Sequence, residues 1–215
     1  MSSFIVRVAK EEDFKHASAI SYQIAESAKA RGTGIAKRSP EYIQEKMLKG
    51  KAVIATTKAG EIAGFCYIET WGHEKYVANS GLIVFPDFRK SGLARKIKDE
   101  AFKLSRKKYP KAKLFGLTTS LAVMKVNSEL GYVPVTFSEL TDDDMFWKGC
   151  QSCVNYHILE SKDRKNCLCT GMLYDPTAKK KKRWNFLEKI NVVKRLKRIK
   201  ENTFLRKFMR APGRV

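Results

Sequence analysis

The stretch from Tyr76 to Lys108 constrains this chain most, because it joins an apolar strand to a long helix through a short, basic, glycine-bearing loop. Tyr76-Val77-Ala78-Asn79-Ser80-Gly81-Leu82-Ile83-Val84-Phe85 reads as a strand stopped by Pro86. After Asp87-Phe88-Arg89-Lys90-Ser91-Gly92, apolar residues recur at Leu93, Ile97, Ala101 and Leu104, the spacing of one helix face. A helix N-terminus leaves about four backbone N–H groups without partners, at the positive end of the helix dipole. Gly92 allows an anion close to the backbone, and Arg89 and Lys90 add charge. The local chemistry is that of a pyrophosphate site, although an ordinary strand-to-helix turn with solvated basic residues has the same composition.

Spacing favours the first reading. Arg89-x-x-Gly92-x-Ala94, following Leu82-Ile83-Val84 and Pro86, resembles the acyl-coenzyme-A motif of the GNAT N-acyltransferase superfamily. That motif is Arg/Gln-x-x-Gly-x-Gly/Ala after a strand ending in Val-x-Pro. The likeness extends through the first 140 residues by element order. Residues 3–8 alternate as a strand, and Glu11 to Ala30 reads as one long helix. Ser39-Pro40-Glu41 opens a second helix, with Ser39 as N-cap and Pro40 at the first helical position. Ala52–Thr57 and Ile62–Trp71 form a hairpin about Lys58-Ala59-Gly60-Glu61. Then come the motif strand and its helix, a strand over 112–119, a short helix over 121–130 and a strand over 132–137. Helices that separate strands only in the second half predict a mixed sheet. The expected class is α/β (α+β): a GNAT fold with helices on both faces of a mixed sheet, followed by a cysteine-rich segment and a basic C-terminal helix. The expected divisions are 1–140, 141–178 and 179–215.

The resemblance implies direct transfer of an acyl group from acetyl-CoA or succinyl-CoA to an amine. The pantetheine arm would lie beside the backbone of Leu82, Ile83 and Val84, and the pyrophosphate on Arg89, Lys90, Ser91, Gly92, Leu93 and Ala94. Glu69, at the end of an apolar strand, and His73, in the turn that follows, are candidate bases acting directly or through water. A carboxylate at a strand end and a histidine in a turn are also ordinary solvated groups. Where the family places an acidic Tyr on the helix after the fifth strand, this chain has Asn127, just ahead of Gly131-Tyr132. Asn cannot donate a titrating proton, but it can hydrogen-bond a thiol or pantetheine.

In such folds the acceptor pocket involves the link between the first two helices. Here that link holds Arg31, Thr33, Lys37 and Arg38 with two glycines. Arg grips carboxylates with a planar fork, so an anionic acceptor is the expectation beside that of a merely solvated loop. The wording of 30–38, 78–84 and 167–174 is similar to a bacterial GNAT subgroup associated with arginine biosynthesis, which implies the α-amine of glutamate as acceptor.

Cys150-x-x-Cys153 and Cys167-x-Cys169 are thirteen residues apart. In a reducing compartment such pairs suggest four-thiolate structural zinc, or else buried, idle thiols. Met1-Ser2-Ser3 enters a strand without a signal-like segment, and no apolar run reaches 18 residues, so the expected location is cytoplasmic. Charge is uneven: 15 of the 43 Lys and Arg, but only two of the 22 acids, fall in 179–215. There Leu187, Ile190, Val193, Leu196 and Ile199 recur every three residues. A helix docked on its own core or on a second subunit, one lying on an anionic membrane, and one bound to nucleic acid all fit this pattern. Three function classes follow: a small-amine acyltransferase, a protein acetyltransferase recruited through its tail to nucleic-acid-associated substrates, and a non-catalytic acyl-CoA sensor.

Overall fold

Residue alternation in the strands determines the layers. The structure is a computed structural model that describes residues 4–30, 32 and 38–178. The basic tail, and Arg31, Thr33 and Lys37 of the inter-helix link, lie outside the described residues. Seven strands form one mixed sheet in the order β1-β2-β3-β4-β5-β7-β6. They are β1 Phe4–Val8, β2 Ala52–Thr57, β3 Ile62–Trp71, β4 Tyr76–Val84, β5 Lys113–Thr118, β6 Val133–Val135 and β7 Thr170–Tyr174. In β2, Ala52 and Ile54 face α1 (Ala17–Ala30) and α2 (Pro40–Leu48), packing with Ile20, Ile24, Ile43 and Met47. Val53 and Ala55 point the other way, to Leu93, Ile97, Ala101 and Leu104 of α3 (Leu93–Lys108). Both faces are therefore covered, as period-2 alternation on apolar strands requires. Further on come α4 (Leu121–Glu129), α5 (Asp144–Lys148) and α6 (Tyr156–Ser161). No described helix is long and apolar enough to cross a membrane.

Two local expectations change. The helix expected from Glu11 begins as a 3-10 turn over Glu11–His16 and becomes α-helical only at Ala17. Asp13 tightens this turn: it is buried, accepts the Lys10 N–H at 2.8 Å and is gripped by Arg7 at 2.7 and 2.9 Å. The second change concerns the segment read as an extension beyond residue 140. It returns to the sheet as β7, pairing with β5 on one side and β6 on the other. The residues between β6 and β7 are thus an insertion into the sheet's connectivity, and Met1–Thr177 clusters as one compact unit. Their own apolar cluster joins Phe137, Leu140, Trp147 and Leu159 to Ala78, Phe115 and Leu173 of the sheet.

One interruption in the sheet shapes everything that follows. β4 and β5 run parallel and pair only at Tyr76–Ala78 with Lys113–Phe115. Beyond that point they separate, because Gly116–Thr118 of β5 continue their pairing with β7 instead. On its other side β4 bulges against β3: Tyr67 faces Ser80 and Phe65 faces Ile83, leaving Gly81 and Leu82 opposite Cys66 alone. Gly81 takes φ +63°, and a Cβ there would sit 2.5 Å from the Tyr67 ring, so both conformation and space demand glycine.

Candidate active site

The splayed strands leave a cavity of about 810 Å³. Asn79, Ser80, Gly81 and Leu82 of β4 form one wall, and Gly116–Ser120 the facing one. From Asn79 onward β4 has no ladder partner on the β5 side, so its backbone there is available to a ligand. Asn127 and Val123 of α4 and Lys98 of α3 line the same space. Arg38, Tyr42, Tyr67 and Glu69 line it too, as does the insertion through Phe146, Lys148 and Tyr156.

The Arg38–Glu69 group is closely coupled. Ser39 caps α2 by accepting the Tyr42 N–H, and the Ser21 hydroxyl donates to the Arg38 carbonyl, which anchors the chain where Arg38 leaves the link. The Arg38 Nε–H donates to the Tyr67 hydroxyl at 2.8 Å, with the guanidinium 4.8 Å from the centre of the Tyr42 ring. Glu69, on β3, accepts the Tyr42 hydroxyl at 2.7 Å and the Lys46 ammonium at 2.7 Å. The Lys46 and Glu69 side chains are only 10% and 16% exposed, so this is a largely desolvated ion pair. Burial, with the Glu69 carboxylate adding to it, raises the Tyr42 pKa and keeps that hydroxyl a donor. A carboxylate has about four acceptor sites, so Glu69 retains capacity for a third donor such as a substrate ammonium.

His73 does not join this group. It sits at φ +54° in the turn after β3 and borders a separate, smaller depression with Lys75, Tyr76 and Lys111. Of the two candidate bases, only Glu69 lines the large cavity.

The floor of the cavity carries a buried polar relay. Tyr132 donates to Asn79 Oδ1 at 2.8 Å, Asn79 Nδ2 donates to Ser105 at 2.9 Å, and Ser105 donates to the Ala101 carbonyl at 2.7 Å. Asn127 is 1% exposed, and its Oδ1 has no hydrogen-bond partner among the described residues. A buried acceptor left open is costly, so a donor from a bound molecule would be stabilising there.

The residues expected to hold coenzyme A divide. Leu82 and Asn127 line the cavity. The Ile83 side chain is buried in the core, and neither it nor Val84 lines the cavity, which leaves only their backbone for a cofactor. Arg89, Lys90, Ser91, Gly92, Leu93 and Ala94 lie outside the cavity lining, at the start of α3. Gly92 is the N-cap at φ +77°; it gives no side-chain cap, and a Cβ placed on it would meet nothing within 4 Å. Arg89, Lys90, Ser91 and Gly92 are exposed. The first turn of this 16-residue helix is therefore open to an anion from solvent.

The four cysteines come together on the cavity wall, as Cys150, Cys153, Cys167 and Cys169 all line it. All are free thiols. They lie near enough for Cys169 to feel the other three, and burial with those neighbours pushes its thiol up to about 12 and that of Cys150 to about 11. Yet among the described residues no three His, Cys, Asp or Glu side chains are grouped to hold a metal ion. Cys150, Cys167 and Cys169 pack against the Phe137–Trp147 cluster.

Comparison with solved structures supports the architecture. N-acetylglutamate synthase from Neisseria gonorrhoeae, complexed with coenzyme A and N-acetyl-glutamate, superposes with a TM-score of 0.55 at 16% identity, over 83% of this chain and 36% of that one. An acetyltransferase of the GNAT family from Staphylococcus aureus gives 0.55 at 10% identity, covering 81% of this chain and 100% of that one. A Salmonella typhimurium putative acetyltransferase with its cofactor acetyl-CoA gives 0.56 at 13%, over 83% and 96%. No protein-family model matches the sequence, nor does any curated protein. The fold is therefore that of the GNAT acetyltransferases. This chain spans about a third of the Neisseria enzyme and most of the two smaller proteins.

Proposed function

We propose that the protein is an acyl-CoA-dependent N-acyltransferase whose acceptor is a small amine bearing a carboxylate, with glutamate foremost. The observation that carries this reading is the parting of β4 from β5 beyond Ala78, which opens unpaired strand backbone to the cavity. An extended, amide-bearing arm such as pantetheine can pair there as a strand would. The open N-terminus of α3, with Arg89 and Lys90, suits a pyrophosphate. Two solved proteins of this fold hold the cofactor: N-acetylglutamate synthase from Neisseria gonorrhoeae, complexed with coenzyme A together with N-acetyl-glutamate or L-arginine, and the Salmonella typhimurium putative acetyltransferase, with acetyl-CoA.

In the reaction the acceptor nitrogen attacks the thioester carbonyl, a C–N bond forms, and the C–S bond breaks with its electron pair on sulfur. Orientation of the two substrates supplies much of the acceleration. Backbone N–H groups on the free edge of β4 can stabilise the developing oxyanion. Glu69, held by Tyr42 and Lys46, accepts the acceptor's proton directly or through water. The donor is acetyl-CoA or succinyl-CoA. Arginine biosynthesis is the setting a glutamate acceptor would give. Structural zinc plays no part in the chemistry of this reading.

Arg38 supports the anionic acceptor. It lines the cavity, its Nε is occupied by Tyr67, and it forms no ion pair with a carboxylate among the described residues. Its two terminal amino groups remain for a substrate carboxylate. A lost charge-assisted contact costs about 1.5–3 kcal/mol, so Arg38→Ala should raise the acceptor KM roughly tenfold or more and leave the acyl-CoA KM unchanged. A mass-shift screen of acetyl- and succinyl-CoA against an amino-acid panel identifies the acceptor on which to measure this. Acylation of neutral or cationic amines alone, or normal use of glutamate by Arg38→Ala, overturns the anionic-acceptor reading. No acylation of any amine despite CoA binding would leave a sensor.

A further inference from the structure

Among the described residues Lys98 is the most deeply buried charged side chain, at 1% exposure on α3. It lines the large cavity together with Asn127 and Asn79. Its ammonium lies 5.5 Å from the centre of the Tyr132 ring and forms no ion pair with any carboxylate among the described residues. The titratable groups against it are Cys66 from β3 and Tyr132 from the turn before β6. Neither supplies a negative charge. Burial pushes the Cys66 thiol up to about 11 and raises Tyr132 further, and the Cys66 thiol donates to the Ser80 carbonyl. A buried lysine without a counter-ion is costly, and it is retained where an anion arrives with a ligand or a proton must move.

We propose that Lys98 is the catalytic cation that receives the leaving thiolate of the acyl donor and returns it a proton. This rests on the acyl-CoA reading of the cavity. Three observations converge on it. Coenzyme A brings neutral amides into the gap beside β4, and the one anion generated there is the sulfur released when the thioester breaks. Asn127, on α4, cannot protonate that sulfur. Lys98 is the ionisable proton donor of the inner wall, where β4, α3 and α4 meet. Burial lowers the Lys98 pKa to about 8, close to that of a thiol, so its ammonium is able to pass a proton to a thiolate.

The step balances as follows. The acceptor nitrogen forms the amide bond and loses its proton towards Glu69 or water. The C–S pair departs on sulfur, the Lys98 Nζ–H proton passes to it, and coenzyme A leaves as thiol. Lys98, now a neutral amine, recovers its proton from solvent once the cavity empties. Transfer leaves two uncharged groups in a dry wall, which favours it over a lasting buried ion pair.

The test needs no acceptor. Coenzyme A is bound to the wild-type protein and its thiol titrated by the ultraviolet absorbance of the thiolate, with the desulfo-CoA complex as blank. A cation in contact lowers the bound thiol's pKa by about one unit or more relative to free CoA. In Lys98→Met, which matches the side chain's length without its charge, that shift should vanish while CoA still binds. Lys98→Gln serves the same purpose should the methionine variant not fold. A bound thiol titrating like free CoA in the wild type, or an equal shift in the folded variants, overturns the role of Lys98 alone. Failure of the wild type to bind CoA overturns the acyl-CoA reading and this proposal with it.

Discussion

Gly92→Val should abolish useful affinity for coenzyme A while leaving a folded protein. Gly92 holds φ +77° at the N-cap of α3, a region that costs an L-residue about 1–2 kcal/mol and a β-branched one more. The added side chain meets no protein atom, since a Cβ has nothing within 4 Å. It would instead occupy the approach to the helix's first amides, where a pyrophosphate must come close. Each charge-assisted hydrogen bond lost there is worth about 1.5–3 kcal/mol, so two give a fall of roughly a hundredfold or more. Calorimetric titration with CoA measures this, and circular dichroism checks the fold. Unchanged affinity in a folded variant would remove the loop from the binding site, whatever the cavity does.

Changing Glu69 should weaken both the fold and turnover, and the two effects can be separated. In Glu69→Ala the Lys46 ammonium and the Tyr42 hydroxyl lose their shared acceptor while remaining largely out of water. Stranding one member of a buried pair costs about 3–5 kcal/mol; the residual exposure here argues for the lower end, or a melting point lower by roughly 10 °C. Glu69→Gln keeps an acceptor for Tyr42 and should recover part of that loss, yet it cannot take a proton. If Glu69 is the base, kcat falls about a hundredfold or more in both variants, independent of melting temperature. A Glu69→Gln protein that turns over normally would reduce the carboxylate to a strut between α2 and β3, and leave bulk water as the base.

What could be read from the chain follows from the range over which each signal acts. The β4–α3 turn was legible because strand, glycine and helix face are all local, and Ser39-Pro40 gave the start of α2 for the same reason. Glu69 lines the cavity from near the end of β3, but its partners were not foreseen. Tyr42 and Lys46 lie 27 and 23 residues away, and only the packing of α2 on β3 brings them there. His73 borders a different depression, because a turn adjacent in sequence need not face the same space as its strand. Lys98 carried a signal that passed unused: it falls between Ile97 and Ala101 on the apolar stripe of α3, where a charge needs a reason. The segment beyond 140 was misread because β7 has only five residues and pairs over a long separation with β5. Cysteine spacing marked Cys150, Cys153, Cys167 and Cys169 as a group, but it carried no sign that three of them would lie against the Phe137–Trp147 cluster.

The late return of β7 has a consequence for how the protein is made. β5 holds β4 over three residue pairs and β7 over five. Until residues 170–174 have left the ribosome, β5 presents an unfilled edge, and the parting of β4 from β5 has nothing to maintain it. The nascent chain thus carries its α3 loop and most of its core long before it owns a cleft, which is completed only by β7, the last of the described strands. A chain interrupted anywhere between Phe137 and Cys169 would hold five paired strands with β5 as a bare edge and β6 unpaired, so for this fold a shorter chain is an edge open to wrong partners rather than a smaller cleft.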